Sequence, residues 1–192
     1  MGAMTGSKFE IEITNQGWLD QNNPDLGYDP VLIDRCSHGG IRLTIGGQVI
    51  ASGDVEDEYG ISESALALLR TLESDHSSER PVAERLIFHG CGATLMMGCP
   101  VGIDWTVSHV EGQVRISDVV RYDTVNEAEA VHFAGLAAEL SEDQYRRQIV
   151  SFAERAKEPF EGITKQIADD YEQEAYEEFW SEYDARLRRA GR

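Results

Sequence analysis

Hydrophobic and polar residues alternate in several short segments of the chain, a pattern typical of strands with one buried face. The clearest example is a pair of such segments at about 102–109 and 113–121, joined near Gly112. Because glycine can adopt the positive φ angle that a tight turn requires, we predict an antiparallel hairpin here. Shorter alternating or apolar segments predict further strands at 9–13, 41–45, 48–50, 86–88 and 93–97, and one more within 131–140.

Three other segments repeat their hydrophobic residues every three or four positions, which predicts amphipathic helices. The first helix begins near Ser62, which we predict as its N-cap. The second covers about 141–160, because Ser141 and Gln144 have the spacing of a capping box. The third covers about 169–189 and carries a stripe of aromatic residues, which is most simply explained by core packing. The last two helices form a C-terminal pair.

The order of the elements is strands, one helix, strands and then two helices. Because strands and helices are segregated in this way, we predict an α+β fold. It has a mainly antiparallel sheet built from hairpins, with about three helices packed on it. The length of 192 residues suits a single domain with its own core, which we place at 9–192. Residues 1–8 are expected to be an expression-tag scar and a disordered start.

The chain is strongly acidic, since 17 lysines and arginines oppose 35 aspartates and glutamates and give a formal net charge of −18. Such a field repels a phosphate backbone, so we do not expect nucleic acid as a partner. It favours fast association with a basic protein surface, although solubility alone would also account for it. Charge therefore points to a class of partner without fixing the function.

The acidic residues are concentrated in two segments of the chain. One is the loop at 54–58, and the other is the last helix, where Asp169 through Asp184 includes eight acidic residues and no basic one. We predict that these carboxylates bind a protein partner, with a basic toxin domain as the favoured class. The predicted partner-binding residues are Asp54, Glu56, Asp57, Glu58, Glu172, Glu174, Glu177, Glu178 and Glu182.

The hydrophobic segments and the cysteine content bear on location. No apolar segment approaches the roughly 20 residues that a membrane-spanning helix needs, and no signal peptide is recognisable. Three cysteines, an odd number, favour free thiols in a reducing compartment. We therefore expect a cytoplasmic protein that does not bind a membrane, and the sequence does not indicate its oligomeric state.

Cysteine and histidine residues occur together in two glycine-rich turns, at 36–38 and 89–91, and Cys99 is a third thiol near the second turn. Two thiols and two imidazoles suit tetrahedral zinc. The spacing differs from that of a zinc finger, however, and buried structural thiols would explain the same residues. We therefore expect no metal and no cofactor. The ligands of the alternative, metal-binding interpretation are Cys36, His38, His89 and Cys91.

Catalytic motifs do not appear with the spacing that their chemistry requires. The segment 90–95 begins like a dinucleotide-binding fingerprint but lacks the third glycine and a following helix. A Cys91 nucleophile with His89 as its base would lack an identifiable orienting group. We therefore expect a non-enzymatic protein, with an enzyme that uses the same cysteine and histidine turns as the alternative.

Several strings of the sequence resemble a recurrent, uncharacterised family of acidic bacterial proteins. The resemblance covers most of the chain from Cys36 onward and depends on CSHG, ISESALALLRTLE, GCPVGIDWTV, SEDQYRRQIVSFAE and EAYEEFW. It implies no activity and no catalytic motif. In size, acidity and α+β pattern the chain is also similar to immunity proteins. That likeness implies an inhibitor that neutralises a bacterial toxin by electrostatic complementarity.

Overall fold

The structure is a computed structural model that describes residues 8–19, 21–23, 25, 27–54, 58–92, 95 and 99–191. In this part of the chain, four helices pack against antiparallel sheets of three and seven strands, which confirms the predicted α+β class. The strands are β1 (Phe9–Ile13), β2 (His38–Gly39), β3 (Ile41–Ile45), β4 (Gln48–Ser52), β5 (Tyr59–Gly60), β6 (Ile87–His89), β7 (Gly102–Val110), β8 (Gln113–Tyr122), β9 (Val131–His132) and β10 (Ala138–Ser141). The helices are α1 (Pro30–Ile33), α2 (Ile61–Thr71), α3 (Glu142–Lys157) and α4 (Asp170–Ala190).

The smaller sheet has the order β1-β3-β4, with β3 at its centre. The hydrophobic residues of β3 lie on one face, where Ile41, Leu43 and Ile45 are fully buried. Gly46 and Gly47 have φ angles of 58° and 83°, and they form the turn that leads into β4. Its two strands are those that the sequence pattern predicts at 41–45 and 48–50.

The larger sheet has the order β10-β8-β7-β6-β5-β2, with β9 also paired to β8. The predicted hairpin at 102–109 and 113–121 is confirmed as β7 and β8, which are the longest strands described. Its register shifts between Asp104 and Thr106, and Asp118 on the facing strand has a φ angle of 53°. This bulge changes the alternation on β8, so that Val119 is buried after Val114 and Ile116.

The helices form a layer over the sheets, with α2 at the centre of the molecule. Nine of the eleven residues of α2 are buried, because the helix packs on the strands β2, β5 and β6 and is covered by α3 and α4. The capping box predicted for α3 is present, since Ser141 and Gln144 bond each other's backbone N–H groups. None of the helices described is both long and apolar enough to cross a lipid bilayer.

The inner face of α4 is held by a cluster of aromatic rings. Ring centroids are 4.8 Å apart for Trp18 and Phe160, 4.6 Å for Phe160 and Trp180, and 5.0 Å for Trp180 and Tyr183. The cluster joins the N-terminal loop, the short 3-10 helix Glu158–Phe160 that follows α3, and the middle of α4. Core packing therefore accounts for most of the aromatic stripe, whereas Tyr171 at the start of α4 is 79% exposed.

Several local predictions differ from the structure. Ser62 is not the N-cap of α2, because the helix begins at Ile61 and the Ser62 hydroxyl donates to Glu63 instead. The turn expected around 36–40 contains the strand β2, which pairs with β5. The segment 131–140 holds parts of two short strands instead of one. Most of the strand predicted at 93–97 lies outside the described residues.

Candidate functional site

The two turns that carry cysteine and histidine lie side by side at one end of the larger sheet. β5 joins them, because it pairs with β2 on one side and with β6 on the other. The Nδ1 atom of His38 is 3.2 Å from the carbonyl oxygen of Gly90. A Cβ atom at Gly90 would lie 2.7 Å from that same nitrogen, so only glycine allows the two turns to approach this closely.

A buried cluster in the first turn consists of Asp34, Cys36 and His38, whose ligand atoms all lie within 4.8 Å of one another. The Asp34 carboxylate is 3.0 Å from Nε2 of His38 and accepts hydrogen bonds from the backbone N–H groups of Leu19 and Cys36. Burial lowers the pKa of His38, but the hydrogen bond and charge of Asp34 outweigh it and raise that pKa above 6.5. The two side chains therefore form a buried ion pair when His38 is protonated.

Glu63, at the start of α2, extends this cluster. Its carboxyl group accepts hydrogen bonds from the Cys36 thiol and from the Ser62 hydroxyl, the latter at 2.9 Å. Burial raises the pKa of Glu63, although these two hydrogen bonds act in the opposite direction. The contact of Cys36 with Glu63, together with a hydrogen bond from the N–H of Ser37 to the Ser62 hydroxyl, holds the loop 34–38 against α2.

A second cluster lies in the other turn, where His89, Cys91 and Cys99 place their ligand atoms within 4.8 Å of one another. The Nδ1 atom of His89 is 3.6 Å from the Cys99 sulfur. His89 and Cys99 are half-buried and Cys91 is exposed, so this cluster faces solvent. Partial desolvation raises the pKa of the Cys91 thiol, and its hydrogen bond with Cys99 raises it further.

The register of β6 and β7 explains why two distant thiols meet. These strands pair antiparallel, with Ile87 opposite Ile103 and Phe88 opposite Gly102. Continuing this register beyond the ends of the strands places Cys91 opposite Cys99. Gly102 permits the close pairing, because a Cβ atom there would lie 2.2 Å from the carbonyl oxygen of Ile87.

The structure divides the alternative metal ligands between these two clusters. Cys36 and His38 belong to the buried cluster with Asp34, whereas His89 and Cys91 belong to the exposed cluster with Cys99. The four residues therefore do not form one four-ligand site as that interpretation requires. The expectation of buried structural thiols is confirmed for Cys36 and is wrong for Cys91, which is exposed.

Three acidic residues of α4 are bound by basic side chains of neighbouring elements. Glu172 pairs with Arg35 at 2.7 Å, and Asp184 pairs with Lys157 at 2.6 Å. Glu182 receives two hydrogen bonds from Arg70, at 2.8 Å and 2.7 Å, and one from Arg186. Hydrogen bonding with Arg70 lowers the pKa of Glu182 to about 2. Glu172 and Glu182 were predicted to bind a partner, but in the structure both form ion pairs within the chain and stabilise the packing of α4.

The remaining carboxylates in the body of α4 point away from the molecule. Asp170, Glu174, Glu177 and Glu178 are exposed and follow the spacing of one helix face. Glu177 accepts a hydrogen bond from Gln173. Among the residues that the structure describes, no basic side chain forms an ion pair with any of the four. We call these four residues the acidic stripe.

The acidic loop at 54–58 is described only in part. Asp54 is exposed and accepts a hydrogen bond from the Ser52 hydroxyl at 2.6 Å. Glu58 is exposed, and its carbonyl oxygen accepts from the N–H of Gly90 at 2.9 Å. Glu56 and Asp57 lie outside the described residues. The loop therefore ends directly beside the exposed cysteine and histidine cluster.

Comparison with known proteins adds no family to this description. No protein-family model, curated protein or solved structure matches the chain. A function can therefore be proposed only from the residues of this chain and their contacts.

Proposed function

We propose that the protein is a non-enzymatic binding protein that docks on a basic surface of another protein through the acidic stripe of α4. The observation that supports this is the division of charges on one helix. Glu172, Glu182 and Asp184 are each paired with arginine or lysine. The four carboxylates of the acidic stripe share a solvent face without such partners in the described part of the chain. Their charge is therefore available to an external cation.

Tyr171 supports the same face as a contact surface. Its side chain is 79% exposed, and it lies one turn before Glu174 on α4. Tyrosine is enriched in protein interfaces because it combines apolar area with a polar end. An exposed aromatic ring bordered by unpaired carboxylates suits a partner that offers arginine side chains.

A bacterial toxin domain is the partner class that we favour, and the proposed role is that of an immunity protein. A nuclease or related toxin presents a basic face to its substrate, and the acidic stripe would complement that face and speed association. The same charge disfavours nucleic acid as a partner. Cys36, Cys91 and Cys99, which all lie in the described part of the chain, form no disulfide, in keeping with the cytoplasmic location expected for such an inhibitor.

The experiment compares two variants that change the total charge equally. Glu174→Lys with Glu178→Lys reverses the centre of the acidic stripe. Glu79→Lys with Glu154→Lys reverses two exposed residues outside α4, one in the loop after α2 and one on α3. Proteins retained by the immobilised wild-type chain are identified, and the affinity of each purified partner is then measured for all three chains.

We expect the stripe variant to lose affinity at least about tenfold, while the control variant keeps most of it. Wild-type affinity should also fall steeply with salt, because exposed charges are screened over about 8 Å at physiological ionic strength. Equal losses in the two variants, or an affinity independent of salt, would contradict docking through the acidic stripe.

A further inference from the structure

We propose that His89, Cys91 and Cys99 form a zinc-binding site that is independent of the acidic stripe. The three residues come from the end of β6 and from both arms of the loop that joins β6 to β7. An imidazole and two thiols are the donor types that zinc prefers. Three protein ligands leave a fourth position for water or for a group of another molecule.

The distance between donor atoms fits a tetrahedral zinc ion. A Zn–S bond of about 2.3 Å and a Zn–N bond of about 2.0–2.1 Å, at the tetrahedral angle, separate the two donors by about 3.6 Å. The observed separation between Nδ1 of His89 and the Cys99 sulfur is 3.6 Å. All donor atoms of the cluster lie within 4.8 Å of one another, close to the separation that a shared ion requires.

The cluster is also accessible to an ion from solvent. Cys91 is exposed, and Cys99 lines a surface cleft of about 350 Å³ together with Arg85, Pro100 and Tyr122. The protein carries a net charge of −18, which raises the local concentration of cations. An entry path and a favourable field are thus both present.

The buried cluster shows the contrast between a structural arrangement and an open site. Asp34 accepts from two backbone N–H groups, and His38 has an oxygen near each of its ring nitrogens. Cys36 is fully buried and donates to Glu63. An ion would have to displace these partners, so we assign zinc to the exposed cluster alone. Cys36 then becomes a control thiol within the same chain.

The test uses the full chain, reduced and freed of metal by a chelator. Zinc is titrated in competition with a chromogenic chelator, and cobalt(II) serves as a spectroscopic probe of thiolate ligands. We expect one ion per chain and a cobalt spectrum with sulfur-to-metal charge-transfer absorption. Bound zinc should also protect Cys91 and Cys99 from alkylation.

Cys91→Ser and Cys99→Ser should each lower zinc affinity at least about tenfold, and Cys36→Ser should leave it within about twofold of wild type. Circular dichroism establishes that each chain is folded, and Cys36→Ala replaces the control variant if Cys36→Ser does not fold. The proposal is overturned if Cys91→Ser retains wild-type affinity, if Cys36 variants lose as much, or if wild-type protein shows no cobalt–thiolate absorption. None of these results bears on the salt-dependent docking of α4, so the two proposals can fail separately.

Discussion

The carboxylate of Asp34 lies 3.0 Å from Nε2 of His38, and each of these side chains is only 2% exposed. Ion pairs at this depth are sensitive to the loss of either partner, because the remaining charge stays buried. Glu63 lies in the same region and bonds the Cys36 thiol. Proton binding to this group of residues therefore contributes directly to stability.

We predict that the free energy of unfolding falls as pH rises from about 5.5 to 8. The folded-state pKa of His38 is raised above 6.5, so its contribution is fully present below 6.5 and is lost as pH rises through the folded pKa. Glu63 acts in the same direction, because burial raises its pKa above 4.5 and ionisation is disfavoured in the fold. Urea denaturation at several pH values measures the effect.

Glu63→Gln tests which residues cause this fall in the free energy of unfolding with rising pH. The amide keeps a polar side chain at the site but cannot ionise, so the dependence on pH should become weaker. Two results would show that other groups control the pH dependence of the free energy of unfolding. One is a wild-type free energy that rises with pH, and the other is a pH dependence that Glu63→Gln leaves unchanged. The range stops at pH 8, because burial lowers the pKa of Lys165 to about 8 and that group contributes the opposite slope above this value.

The pairing of Glu182 with Arg70 predicts a difference between two glutamates of α4. Glu182→Gln removes one partner of a two-point contact that is about one third exposed. We expect it to lower the free energy of unfolding by about 1 kcal/mol. Glu178→Gln, on the acidic stripe, should change it by less than about 0.5 kcal/mol. Chemical denaturation measures the free energy of unfolding of both variants. Equal losses would contradict a stabilising role for the Glu182–Arg70 pair.

Gly102 and Gly112 both have positive φ angles, of 151° and 78°, but only Gly102 lies against another strand. Alanine at Gly112 meets no atom within 4 Å and should cost about 1–2 kcal/mol through backbone strain alone. Alanine at Gly102 would contact the Ile87 carbonyl and should cost about 1–3 kcal/mol more. The melting temperatures of the Gly102→Ala and Gly112→Ala chains, measured by thermal unfolding, test this difference. A Gly102→Ala chain as stable as Gly112→Ala would contradict the close pairing of β6 and β7.

The N-terminus of α3 offers a test of helix capping. Ser141 accepts a hydrogen bond from the N–H of Gln144, and the Gln144 side chain accepts from the N–H of Ser141. Ser141→Ala should lower the free energy of unfolding by about 1 kcal/mol, and Ser141→Asp should restore most of it. Failure of aspartate to restore stability would show that the hydroxyl acts through contacts other than the cap.

The hairpins and the two long helices could be predicted because their signals are local. Alternating residues define β3 and β7, and the capping box at Ser141 fixes the start of α3. Ser62 misled the prediction, since the same hydroxyl can cap a helix or bond a neighbouring glutamate. Only the fold around Glu63 favours the second arrangement.

The candidate sites depend on contacts between distant parts of the chain, and some of these had a signal in the sequence. The meeting of Cys91 and Cys99 follows from the β6–β7 register, which the separate strand predicted at 93–97 obscured. The spacing of α4 also places Glu172 near its aromatic face, away from the acidic stripe. The burial of Asp34 had no such signal, because it depends on an N–H group donated by Leu19 from another loop.

The aromatic cluster behind α4 has a practical consequence for studying the molecule. Trp180 lies on the inner face of the same helix whose outer face carries the acidic stripe, and Trp18 is joined to it through Phe160. Both indoles are natural fluorophores that emit according to their surroundings. Any displacement of α4 would change their emission, so the unlabelled chain carries its own optical reporter for movements of this helix.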